Sequence, residues 1–165
     1  AIVFNYMLQQ NMTFPSLVFK TLDKDIIELP RDISSNYAAV LFYRGHWWPF
    51  CNRQLAEWES AKKELDQLGV TVYAASVDTH DQATEVVTKN NLTFTMIHSL
   101  EKHHTKSIGG WWGADHHGEY SQPAEFLLDT DGKIIGSLYA SGPIGRMNVS
   151  EAIKMIKFTE MRKNK

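Results

Sequence analysis

The sequence predicts an α/β fold: a central mixed sheet, helices on both of its faces, and an antiparallel hairpin at one edge. Three observations carry this. Residues 38–43 (AAVLFY) are a continuous apolar run, as in a strand covered on both sides, and 70–77 (VTVYAASV) read as a second buried strand. A helical segment follows each run, which is the alternation that produces parallel strands. Near the end, Asp129-Thr130-Asp131-Gly132 separates two more apolar runs and signals a hairpin.

The first 12 residues show no clear pattern. Residues 17–20 and 26–29 form two short strands around the polar turn Asp23-Lys24-Asp25. After the strand at 38–43, Pro49 suits the first turn of a helix, where its missing N–H costs nothing. That helix runs to about Gln67, with Leu55, Trp58, Ala61, Leu65 and Leu68 on one stripe. Gly69 ends it. Thr79 and Gln82 make a capping box for a helix through Val86 and Val87. A short strand at 92–97 and a short helix at 101–108 come next. Strands at 126–128 and 134–139 flank the hairpin turn, and Asn148 with Glu151 caps a last helix.

Composition bounds the function. The 165 residues fit one domain, 1–165, large enough to need no staples. The formal net charge is −2, which argues against nucleic acid as a partner. No apolar run approaches the roughly 18 residues of a membrane span. The start, AIVFNYMLQQ, lacks a basic region and a cleavage site, so a cytoplasmic location is expected, with a processed leader left open. A single cysteine rules out an internal disulfide and cysteine-rich zinc modules. No cofactor is expected.

The chemistry concentrates in residues 43–55, YRGHWWPFCNRQL. A buried strand ends in a glycine loop, and a helix begins at Pro49. Cys51 lies in its first turn, where the helix carries about half a positive charge and free N–H donors. Arg44, His46 and Arg53 add positive charge. Such surroundings lower a thiol pKa from about 8.5 toward neutrality. The plain alternative is that Cys51 is a small buried hydrophobe.

RGHWWPFCNRQL resembles the RGxWCPFCxxQL segment of peroxiredoxin-like redoxins in the alkyl hydroperoxide reductase / thiol-specific antioxidant superfamily. AASVDT, QPAEFLLDTDGKI and SGPIGR are also similar to segments of that group. The resemblance implies a thioredoxin-like fold of peroxiredoxin type with an N-terminal β-hairpin extension. It implies a thiol- or selenol-dependent oxidoreductase that reduces peroxides or disulfides. The reductant would be an external thiol such as thioredoxin or glutathione, and a homodimer is compatible with it. The implied catalytic positions are Cys51, Trp48, Arg44 and His46. Trp47, Pro49, Pro123, Trp111 and Trp112 would wall the substrate groove, with Pro123 in cis.

The match breaks at Trp48, where the subgroup carries Cys or selenocysteine. An indole is no nucleophile, so the chain as written has an impaired redox pair. In a second alignment frame Cys51 is itself the peroxide-reacting cysteine, and Arg44, Trp48 and Pro123 replace its usual Pro, Thr and Arg. Selenocysteine is encoded by UGA, one base from tryptophan's UGG, so Trp48 can mark a selenocysteine position. A native Trp and a deliberate substitution are the alternatives. Loss of the redox residue also fits a non-catalytic binding module.

The other polar features read as ordinary surface. His103-His104 and His116-His117 are adjacent pairs that should point apart, so no metal site is expected. Three Asn-x-Ser/Thr triplets are short enough to arise by chance, and the basic end from Lys154 reads as a solvated helix.

Overall fold

The computed structural model describes residues 7–164. Strands β1 (Leu17–Thr21) and β2 (Ile26–Leu29) form the N-terminal hairpin, with Leu17 opposite Leu29. Then come β3 (Tyr37–Phe42), α1 (Pro49–Ser60), α2 (Lys62–Gln67), β4 (Val70–Ala75), α3 (His80–Asn90), β5 (Thr95–His98) and α4 (Lys102–Ser107). A small hairpin, β6 (Trp112–Asp115) and β7 (Gly118–Ser121), precedes β8 (Ala124–Asp129), β9 (Ile134–Tyr139) and α5 (Val149–Lys163).

Seven strands make one mixed sheet in the order β2-β1-β5-β4-β3-β8-β9. The β3–β4 and β4–β5 pairs are parallel; β3–β8 and β8–β9 are antiparallel. Alternate residues of β3 serve two cores. Ala38, Val40 and Phe42 face a layer with Phe14, Phe19, Phe126 and Ile108. Tyr37, Ala39 and Leu41 face Trp58, Leu65, Ile153 and Ile156. Every β3 side chain is buried: α1, α2 and α5 cover one face, and Phe14, Ile33, Ile108 and α4, whose His104 stacks on Phe19, cover the other. The chain has the expected fold.

Local differences have local causes. The helix expected over 49–67 is two helices, broken at Ala61, whose φ of −94° and ψ of 5° tighten the turn. The strand expected at 92–97 starts at Thr95, because Asn91 takes a left-handed conformation and residues 92–94 are used in the turn. The capping box of Thr79 and Gln82 forms in both directions. The β6–β7 hairpin has no counterpart in the sequence pattern. Its segments, WGAD and GEYS, lack apolar alternation. Pro123 is not in cis; the cis bond among the described residues is Leu29–Pro30. Ala124 already pairs with Phe42 and Tyr139, and the Pro123 carbonyl accepts from the Ala140 N–H at 2.9 Å. A trans bond there continues the extended ladder.

No helix among the described residues is long and apolar enough to cross a membrane. The reading of AIVFNYMLQQ as lacking an evident leader falls partly on residues 1–6, outside the described residues.

Candidate active site

The site is built where β3 hands over to α1. Tyr43 extends the strand by one bond to the Ala75 carbonyl, 2.9 Å. The chain then turns through residues 44–48. Gly45 is required there, since a Cβ would lie 1.9 Å from the Trp47 ring. The Asn52 amide ties the loop down by donating to the carbonyls of His46 (2.9 Å) and Trp48 (3.2 Å). Trp48 takes the cap position without a side-chain bond, and Pro49 opens α1.

Cys51 is wholly buried against Tyr43, Leu55, Ala74 and Met96. Its Sγ accepts two hydrogen bonds. One comes from the Arg44 backbone N–H at 3.3 Å, the other from the Arg146 guanidinium at 3.3 Å. Trp48 packs against the same cluster and donates its indole N–H to the Pro143 carbonyl, 3.1 Å. The loop of residues 143–147 and the Trp48 ring therefore close over the thiol. A disulfide between two copies through Cys51 is blocked while the thiol stays covered.

The structure distributes the expected residues unevenly. Arg44 meets the thiol through its backbone only. Its buried guanidinium lies over the Trp48 and Tyr120 rings at 4.9 and 4.5 Å, bonds the Tyr120 hydroxyl, and sits 3.6 Å from Asp115. His46 points to Asp78, with Nδ1 2.9 Å from Oδ1. Trp47 stacks on His117 at 4.8 Å and meets Tyr120 edge-on. Pro49 is exposed, and Pro123 is buried at the start of β8. Trp111 is 42% exposed, and Trp112 bonds Glu119 across the small hairpin. Two surface clefts lie elsewhere. One of about 470 Å³ is lined by Asp23, Ile26, Asp32 and Tyr73, another of about 290 Å³ by Asn11, Lys133 and Arg162.

Three important groups were not singled out in the sequence. Arg146 sits in SGPIGR, a segment noted only for its resemblance. Glu125 is wholly buried on β8; its Oε2 accepts from Gln54 Nε2 (2.7 Å) and the Met147 N–H (2.9 Å). Burial pushes the Glu125 carboxyl up to about 7, against the pull of those two bonds and of Arg146. The signal for it was a glutamate beside an apolar strand run. Asp78, also buried, accepts from the His46 N–H at 3.1 Å and faces the Tyr43 hydroxyl at 3.5 Å. Burial raises the Tyr43 hydroxyl well above the usual range, so it remains a donor.

Two histidine expectations change. His104 is buried, stacks on Phe19 at 4.9 Å and is held below its usual pKa by burial. Neither adjacent pair points apart: the rings of His116 and His117, in the β6–β7 turn, approach to 3.9 Å, and those of His103 and His104, on α4, to 4.0 Å. Among the described residues, Asp115, His116 and His117 hold donor atoms within 4.8 Å of one another. All three are exposed, and Asp115 already bonds the His117 N–H at 2.7 Å.

A sequence model of the AhpC/TSA family matches residues 11–137. The chain belongs to that family. It is 27% identical over 139 residues to alkyl hydroperoxide reductase C of Staphylococcus aureus, covering 81% of this chain and 71% of that protein. Peroxiredoxin 6 of Arenicola marina superposes with a TM-score of 0.80 at 15% identity, over 96% of this chain and 76% of that one. Enterococcus faecalis AhpC gives 0.79 at 16% identity, over 96% of both. These structural likenesses establish the fold, which matches that of peroxiredoxins.

Proposed function

We propose that the chain acts as one domain in thiol-dependent peroxide reduction, with Cys51 as the reacting group. The observation that supports this is the pair of N–H bonds to Cys51 Sγ, one of them from the Arg146 guanidinium. Charge-assisted donors of this kind favour a thiolate. The thiolate attacks one oxygen of a hydroperoxide. The S–O bond forms as the O–O bond breaks, and the departing alkoxide takes a proton from solvent. The products are an alcohol and a Cys51 sulfenic acid. The sequence holds one cysteine, and the reductant in this proposal is a thiol from outside it. One thiol condenses with the sulfenic acid, releasing water, and a second thiol reduces the mixed disulfide. A reducing compartment such as the cytoplasm supplies these thiols. The name of the Staphylococcus aureus relative supports an alkyl hydroperoxide as substrate.

The chain as written is impaired by Trp48. The indole covers a thiol that has no solvent exposure, so peroxide enters only when the Trp48–Pro143 contact opens. A UGA codon at position 48 of the natural gene would make the native centre a Sec-x-x-Cys pair. The same burial favours the second reading, a binding module without turnover.

Dimedone trapping after treatment with cumene hydroperoxide, read by mass spectrometry, separates the two. A sulfenic acid adduct on Cys51 is expected, absent in Cys51→Ser and formed at least tenfold faster in Trp48→Ala. No adduct in either the original chain or Trp48→Ala would leave the binding module in its place.

A further inference from the structure

Glu125 is a buried acidic group for which the peroxide chemistry has no direct use. It projects from β8 on the same side as Leu127, opposite Leu41 of β3 and Leu138 of β9. Its Oε2 takes one N–H from Gln54, three residues after Cys51 on α1, and one from Met147, the residue after Arg146. A single carboxylate oxygen thus joins the helix that carries the thiol to the loop that carries the guanidinium. Arg146 has little else to fix it. Its other bonds go to carbonyls of its own loop, Pro143 (3.3 Å) and Gly145 (2.9 Å), and among the described residues it forms no salt bridge. The buried Nε of Arg146 and Oε1 of Glu125 both lack partners.

We propose that Glu125 is a positioning residue that sets Arg146 against Cys51. It acts through Arg146 and does not touch the sulfur. Its geometry, not peroxide turnover, carries this; the proposal rests on the reading above only in taking Cys51 as the reacting atom. Arg146 is the charged group that faces Glu125. Gln54 and Met147 supply neutral donors, and the flanking strands supply leucines.

The thiolate fraction of the full chain tests it. Absorbance near 240 nm reports Cys51 alone once the Cys51→Ser signal is subtracted, because the chain has one cysteine. Each variant is read at the pH where the original chain is half ionised. Glu125→Leu should lower the thiolate fraction at least fivefold, and Arg146→Ala should do the same. Glu125→Gln can keep both bonds, because its amide oxygen can accept from the Gln54 amide and the Met147 N–H as the carboxylate oxygen does, and it should stay within twofold of the original. Glu125→Leu with Arg146→Ala should fall no lower than Arg146→Ala alone, since one residue acts through the other. An unchanged fraction in Glu125→Leu, a loss in Glu125→Gln as large as in Glu125→Leu, or losses that multiply in the double variant would overturn the proposal. Near-UV circular dichroism checks folding, and Glu125→Ala replaces any Glu125→Leu that fails it. Failure of the dimedone experiment would sink the peroxidase reading and leave this series still decisive.

Discussion

Two buried carboxylates flank the handover from β3 to α1, and they are built on different terms. Asp78 has partners on both oxygens: the His46 backbone and ring on one, the Tyr43 hydroxyl on the other. Glu125 has two donors crowded on one oxygen and none on the other. A buried charge is tolerable in proportion to the donors that replace its water. Asp78 therefore reads as a fixture of the loop. For Glu125, burial outweighs its two donors and pushes the carboxyl up to about 7. It is the residue whose state neutral pH can change.

The largest test of that contrast removes the better-satisfied group. Asp78→Ala strips a partner from the His46 N–H and ring and from the Tyr43 hydroxyl. We expect a loss of about 3 kcal/mol in urea unfolding at pH 7. A loss under about 1 kcal/mol would show that Asp78 is no fixture.

The next test uses pH. Glu125 holds its proton in the folded chain up to about 7, whereas a free glutamate releases it near 4.5. Between those values the folded chain binds more protons than the unfolded one. Its contribution to stability is complete below pH 4.5 and is lost as pH rises through 7. The amount is about 3 kcal/mol, from the size of that difference. His104, held low by burial, has the opposite sign: its contribution is present above the free histidine value and lost as pH falls. The difference between the original chain and Glu125→Gln isolates the glutamate. As pH falls from 8 to 5 the original chain should gain about 2.5 kcal/mol of stability relative to Glu125→Gln. A difference independent of pH would remove the contrast with Asp78.

The smallest effect concerns the cover over the thiol. Trp48→Phe keeps an aromatic ring but deletes the bond to the Pro143 carbonyl. A cost of about 1 kcal/mol is expected for one partly exposed hydrogen bond. Iodoacetamide should then label Cys51 about fivefold faster, the factor that such an energy implies. An unchanged labelling rate would mean that the latch lies elsewhere in the 143–147 loop.

Much of the architecture was legible because it depends on local patterns. AAVLFY is apolar throughout and VTVYAASV nearly so, and they became the strands β3 and β4, buried along almost their whole length. Thr79 and Gln82 mark a helix start by a reciprocal bond that needs only three residues. The β6–β7 hairpin was not legible, because its short strands are neither alternating nor β-branched and gain their place from the Arg44–Tyr120–Asp115 contacts.

The candidate site divides the same way. That Cys51 opens a helix after a buried strand follows from Pro49, the apolar run and the stripe behind it, all within about 20 residues of chain. Which cation reaches the sulfur does not follow. Arg44 is the nearer in sequence, yet its side chain is drawn away by Tyr120 and Asp115, while Arg146 arrives from 95 residues downstream. Sequence distance governs caps, turns and periodicity, because these are made between neighbours. The donors on a buried thiol are chosen by whichever elements the sheet order brings together, and here β8 beside β3 carries Glu125, and with it the Arg146 loop, up to the start of α1.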